Sequence, residues 1–481
     1  MGFPSEVYFR GTMILWFIPM YFVSFPIVAY FFLPTIYELK LTSLYEYLEL
    51  RFTFANRVIA SIIFVIQTLL YMAVALYAPS LTLSSSLPIP LTVSIVFTAS
   101  LSAIYLFLGG ARAGIYTSAL QMLLILGSLF VIICASLITW TPYEVIEKNA
   151  EGGRLIFFEV VLMNIPMNTV VLIMYVTVGL IIFAAFFECH PELTTKDQIF
   201  PTFVKDMLYV IPGLEGLFLA AIYAAGLSTL TASYSALTAV TIEDVVKITF
   251  NHLSKDSRRI ADDVTYKLVK ILPFGFAFFA VLLAIAIRYL DTMILQIAFS
   301  IFGAAGGASL GIFVVGLFCP WISSIRAAIV GQVSAILGTL SIVCGSLYFQ
   351  VRAVDLPLNR SCEDYYSDSN NSSPFNFSAP LAGTVVASGD ANIASWISQI
   401  SYQYYGVVGV VVCLVVSHIV QAFDYIIGAK NTKPVNKKLV ASWVRSFASS
   451  VTVTGNPVDI PLLSESENNS GKESCHIEKD I

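Results

Sequence analysis

Apolar residues run along this chain in long blocks separated by short polar breaks. Ten of the blocks are long enough to cross a membrane as helices: residues 11–34, 58–80, 91–110, 114–139, 161–187, 213–240, 268–290, 292–318, 326–350 and 399–427. A helix needs about 20 predominantly apolar residues to span the hydrocarbon. Backbone groups in lipid have to be paired within the segment, and no strand-like alternation of the barrel type occurs in these blocks. The pattern predicts an all-α polytopic membrane protein of about ten spans. The lipid bilayer is its solvent, and a transmembrane domain fills residues 1–427.

Composition agrees and removes several function classes. Hydrophobic residues make up 57% of the 481 positions and charged residues 12%, where soluble domains carry about 25% charged residues. A formal net charge of −5 gives no electrostatic footprint for nucleic acid, so none is expected as a partner. The seven cysteines form no C-x-x-C pair and no ligand spacing with the four histidines, which supports neither a zinc site nor a redox motif. The opening text MGFPSEVYFRG has no basic n-region and no small-residue cleavage site, so insertion is expected to rest on the spans themselves.

Basic loops mark the cytoplasmic side. Lys40, Arg51 and Arg57 sit in 35–57; Lys247, Lys255, Arg258, Arg259, Lys267 and Lys270 in 241–270; Lys430, Lys433, Lys437, Lys438 and Arg445 in the tail. An even count of spans places the tail and the 241–270 loop together, so the C-terminus is expected in the cytoplasm and the 351–398 loop outside. That loop carries four N-x-S/T sequons, at Asn359, Asn370, Asn371 and Asn376, as an extracellular glycosylated loop would. Five spans, an odd number, separate 35–57 from 241–270. Charge parity therefore predicts that one of the two loops is on the other side, that one apolar block does not cross, or that a span is missing, with the weak place at 141–160. The tail, 428–481, has the polar composition of a disordered segment.

Several stretches resemble the sodium/solute symporters, specifically the sodium-coupled monocarboxylate and multivitamin branch. They are GFPSEVYFRG with FLPTIYELKLTSLYEYLELRF, then FVIQTLLYMAVALYAPSLTL (64–83), LGGARAGIYTSALQ (108–121), EGGRLIFF (151–158), the long block 197–247, SIFGAAGGASLGIFVVG (300–316) and SWISQISYQYYGVVG (395–409). The resemblance covers nearly all of 1–427 and implies an inverted-repeat helical bundle of the LeuT type, at the plasma membrane. It also implies that the bundle is incomplete. The family has two spans before the G-x-P-x-E-V-Y text, the second a broken helix, and another broken helix after the G-G-R-L text, where residues 159–163 here pass straight on.

Sodium is a hard cation that prefers oxygen ligands. In AAGLSTLTAS, Ser228 and Thr229 are adjacent hydroxyls within an apolar span, and they match the family's sodium-site hydroxyl pair, with the carbonyl of Ala225 one turn earlier. The same hydroxyls could simply bond back to the i−4 carbonyl. Gln67 and Tyr71 are four apart and share a helix face; they either line a substrate path, as the resemblance implies, or make an interhelical hydrogen bond. The glycines of 303–311 read as a close-packing stripe. Ser118 stands where the family usually has an aspartate, and no span has a central Asp, Glu, Lys or Arg, which argues against a proton relay. Cys189 and Cys362 fall in loops that the family keeps outside, and they either form an extracellular disulfide or stay apart. Cys134, Cys319, Cys344 and Cys413 read as small buried hydrophobes.

The function implied is sodium-coupled symport of a small organic anion, such as a monocarboxylate or a carboxylate-bearing vitamin, with sodium as coupling ion and no other cofactor. No nucleophile or metal constellation suggests an enzyme. The alternative is a transport-incompetent shortened form lacking both broken helices of the site.

Overall fold

The described part of each apolar block folds as a helix. The computed structural model describes residues 2–41, 43–139, 141–151, 166–187, 189–208, 212–247, 249–250, 262–290, 292–349, 356, 399–428, 435–441 and 443–444. The helices are α1 (Gly2–Arg10), α2 (Thr12–Glu38), α3 (Glu46–Arg51), α4 (Phe54–Ser86), α5 (Leu91–Thr139), α6 (Pro142–Glu151), α7 (Pro166–Ala185), α8 (Ile199–Met207), α9 (Leu214–Val240), α10 (Asp262–Ile287), α11 (Ile294–Phe318), α12 (Ile325–Tyr348) and α13 (Tyr402–Ile427). No strand occurs among the described residues. Eight helices are long and apolar enough to cross a membrane, and Leu91–Phe107 and Thr169–Ala185 are shorter apolar helices. Together these account for all ten predicted blocks.

The segments 91–110 and 114–139, counted from sequence as two spans, lie on the single continuous helix α5, 49 residues long. At 1.5 Å per residue such a helix is about 73 Å long, more than twice the ~30 Å of hydrocarbon. With these two blocks on one helix, the five apolar blocks between the basic loops are carried by four helices, α4, α5, α7 and α9, which is the kind of mismatch that charge parity predicts.

Three π turns interrupt the ladder: Val28–Phe32 in α2, Thr241–Val246 continuing α9, and Phe302–Gly306 in α11. The first follows Pro26, which lacks an N–H and crowds the preceding turn. Beyond the third, the glycine stripe packs as expected. A Cβ on Gly307 would lie 2.5 Å from the Gly406 Cα, and one on Gly311 would lie 2.6 Å from the Cys413 Cβ, so α11 and α13 approach to backbone contact. Cys319 and Cys413 are buried, whereas Cys134 and Cys344 are exposed on the bundle surface, a correction to the reading of all four as buried.

Contacts define two ends of the bundle. At one, the Arg57 guanidinium meets Asp244, which joins the 35–57 and 241–270 segments on one side, as the basic loops predict. The same end holds the tail. Residues 435–441 and 443–444 of the predicted disordered segment are packed: Val435, Leu439, Val440, Ala441 and Val444 are buried. Tyr47 Oη donates to the Leu439 carbonyl at 2.9 Å, and the Ala441 N–H donates to the Leu317 carbonyl at 3.0 Å. Trp443 lies against Phe31 and Phe318, with ring centroids 5.8 and 5.7 Å away. Disorder from residue 428 onward is thus corrected for this stretch. Ala441→Pro removes the N–H that holds it, and protease cleavage within 435–444 should accelerate several-fold while 1–427 stays intact. Unchanged cleavage would show that the bond does not hold the segment.

The opposite end gathers α1, the start of α11 and the start of α13. Glu6 accepts from Arg10 Nη1 at 3.1 Å and from Tyr402 Oη at 3.4 Å, and Arg10 Nη2 donates to Gln296 Oε1 at 3.3 Å. Leu356, from the segment leading into the sequon loop, donates its N–H to the Phe9 carbonyl at 2.9 Å.

Candidate functional site

Helices α4 and α9 run antiparallel, as the Arg57–Asp244 pair and the contact of Pro79 with Gly226 require. A Cβ on Gly226 would come 2.8 Å from Pro79 Cγ, so glycine allows the close crossing. Two residues beyond Gly226, both candidate hydroxyls turn back on their own helix. Ser228 Oγ and Thr229 Oγ1 each donate to the Ala225 carbonyl at 2.9 Å. The three residues therefore form one cluster of oxygens, half-buried in the middle of a long apolar helix. Both hydroxyl hydrogens are engaged, which leaves oxygen lone pairs as what the pair offers a hard cation. The back-bonded geometry is also what a purely structural role requires, so it does not by itself separate the two readings.

Gln67 and Tyr71 share a face of α4, and that face turns to the π turn of α11. The Tyr71 ring lies 4.7 Å from the Phe302 ring, and the Gln67 amide lies 3.8 Å from where a Cβ of Gly306 would sit. Gly303 and Gly307 pack against α13, whereas Gly306 faces Gln67. By the antiparallel register, Tyr71 and Gln67 lie roughly 6–13 Å along α4 from the level of Thr229. Among the described contacts, none joins the two candidate groups directly. A π turn exposes backbone carbonyls and is frequent at functional sites.

Other polar groups were not singled out by the sequence. Ser80, Ser94, Thr98 and Tyr223 form a hydroxyl chain across α4, α5 and α9: Ser94 Oγ donates to the Ser80 carbonyl at 3.0 Å, and Thr98 Oγ1 meets Tyr223 Oη at 2.9 Å. Their only sequence signal is hydroxyls recurring in apolar text. At the tail end, Arg51 is buried and its guanidinium donates to the carbonyls of Gly316, Cys319 and Ile322 at 3.1, 3.2 and 2.9 Å. It satisfies the open carbonyls at the end of α11, and burial lowers its pKa from the ordinary value.

Cys189 is disulfide-bonded, and Cys362, the partner expected from sequence, lies outside the described residues. The sequon residues Asn359, Asn370, Asn371 and Asn376 lie outside them as well. Among the described residues no group of three or more His, Cys, Asp or Glu could hold a metal ion.

The family model described as "Sodium:solute symporter family" matches residues 1–151 and 148–334. The two matches meet close to the place where the resemblance skips a helix. The human sodium-coupled monocarboxylate transporter 1 is 29% identical over 478 residues, covering 87% of this chain and 77% of the relative. The human sodium-coupled monocarboxylate transporter 2 is 30% identical over 475 residues, with 87% and 74% covered. The sodium-dependent multivitamin transporter of Oryctolagus cuniculus is 32% identical over 404 residues, with 72% and 61% covered. A solved structure of the substrate-bound outward-open state of a Na+-coupled sialic acid symporter superposes with a TM-score of 0.62 at 21% identity, covering 88% of this chain and 86% of that one. At that identity the likeness concerns the fold.

Proposed function

The chain belongs to the sodium:solute symporter family, and from that membership we propose that it couples sodium entry to uptake of a small organic anion at the plasma membrane. The proposed substrates are monocarboxylates or vitamins that carry a carboxylate, with the tail in the cytoplasm and the sequon loop outside. The observation that carries the reading is the family match over residues 1–151 and 148–334, and the oxygen cluster of Ala225, Ser228 and Thr229 lies within that matched block. Similarity to sodium-coupled monocarboxylate and multivitamin transporters supports the anion class.

In mechanism, the hydroxyl oxygens of Ser228 and Thr229 and the Ala225 carbonyl present oxygen dipoles to sodium without a carboxylate. Such neutral ligands bind a monovalent cation weakly enough to release it. Gln67 and Tyr71 line the wall at the α11 π turn, where an amide and a phenol can donate to a passing anion. Alternating access then exposes this wall to one side at a time.

The test is uptake of labelled lactate, nicotinate or biotin by cells expressing the 481-residue chain, in sodium and in choline. Sodium-dependent accumulation of at least one is expected. Surface-expressed chain with no accumulation of any would overturn the reading and favour a transport-inactive form.

A further inference from the structure

At the end opposite the tail, Asp197 is the middle residue of the short turn Lys196–Gln198 that leads into α8. It is 3% exposed. Oδ2 accepts the N–H of Ile294, the first residue of α11, at 2.8 Å, and Oδ1 has no hydrogen-bond partner. A buried carboxylate oxygen without a donor is costly, and the cost falls away when the group takes a proton or reaches water.

The surroundings set the direction. From α1, Glu6 and Arg10 act on Asp197. From α4, Tyr77 lies within electrostatic range, and on Asp197's own turn the Lys196 ammonium sits over the Phe9 ring at 5.4 Å. Burial outweighs everything else and pushes Asp197 up to about 6; the Ile294 N–H and the positive charge of Arg10 pull it down, and Glu6 pushes it up.

We propose that Asp197 is a positioning residue for the gate at this end: ionised, it works against the sealed packing of α1, α8 and α11, and protonated on Oδ1 it lets that packing persist. The proton comes from the bathing solution and returns to it. The consequence for uptake rests on the symport reading, but the consequence for opening does not.

The folded group has a raised pKa, so its contribution to the sealed form is fully present below the ordinary carboxylate value. That contribution is lost as pH rises through about 6. Acid outside therefore holds this end closed. An equilibrium biased against the open form lowers apparent affinity by the same fraction.

The experiment follows sodium-dependent uptake from about pH 7.5 to about 5.5, on either side of the raised value. The unaltered chain should lose uptake about three-fold or more, and Asp197→Asn should be low and flat across the range. Asp197→Glu, which still titrates, should restore a pH-dependent fall. A second readout is labelling of Gln296→Cys by a membrane-impermeant thiol reagent, with and without Asp197→Asn. The ratio of the two labelling rates cancels the pH dependence of the thiol itself. It should exceed one at neutral pH and approach one in acid. A ratio that does not change with pH, or an Asp197→Asn chain that keeps the parental pH profile, overturns the proposal. If uptake is absent throughout but the ratio moves as expected, it is the symport reading that fails.

Discussion

Arg57→Ala is expected to deplete folded, surface-expressed protein far more than Asp244→Asn. Asp244 is fully buried, and its Oδ1 accepts from Arg57 Nε at 2.8 Å while Oδ2 accepts from Ser43 Oγ at 2.6 Å. Arg57 also reaches Glu49 Oε2 at 2.8 Å through Nη1. Removing the arginine leaves a charged carboxylate sealed from water with one hydroxyl donor, a change of the kind that costs about 3–5 kcal/mol. Removing the carboxylate charge leaves the arginine with Glu49, a pair whose glutamate is partly exposed, so the loss is smaller. The double variant Arg57→Ala with Asp244→Ala should recover much of what Arg57→Ala loses, because no charge is then stranded. Yield and melting temperature of the detergent-purified proteins measure this. Equal loss from either single variant, or no recovery in the double, would mean that the pair does not join the two segments energetically.

That pair also shows what a single sequence can and cannot reveal. Basic residues near span ends suggest one side for Arg57 and the 241–270 segment, although the odd count of blocks between them speaks against it. Their direct contact was not legible, since the partner Asp244 reads locally as one more polar residue past a helix end. The ten apolar blocks were visible because lipid demands a length and a hydropathy that little else produces. The continuity of α5 was not, because Gly109, Gly110 and Gly114 look like a break and only the three-dimensional path shows otherwise. Tail packing escaped notice for a different reason. Five buried positions among lysines and asparagines are too few for a composition argument, and it is the groove beside Phe318 that makes them apolar contacts. The shared helix face of Gln67 and Tyr71 is legible from their four-residue spacing. The carboxylate of Asp197 was missed, although Thr195 with Gln198 is a capping-box pattern that marks the turn.

Removing both candidate sodium-site hydroxyls, Ser228→Ala with Thr229→Val, should raise the sodium concentration for half-maximal uptake about ten-fold, equivalent to about 1.4 kcal/mol. Each hydroxyl donates to the same Ala225 carbonyl at 2.9 Å, so each contributes an oxygen to the cluster and neither is needed to complete the backbone ladder. If the pair served only the helix, its loss would amount to two back-bonds of about 1 kcal/mol or less, with sodium dependence unaltered. Thr229→Ser retains the oxygen and should keep the parental sodium response, while Thr229→Val conserves volume and removes only the hydroxyl. The comparison therefore separates oxygen chemistry from packing. Expression and melting temperature should change little across the set, because Ser228 and Thr229 are half-buried and their removal strands no other polar side chain. A double variant with unchanged sodium half-saturation and unchanged maximal uptake would remove Ala225, Ser228 and Thr229 from the sodium path. The coupling ion would then have to bind elsewhere in the bundle, with the π turn of α11 beside Gln67 and Tyr71 the next place to test.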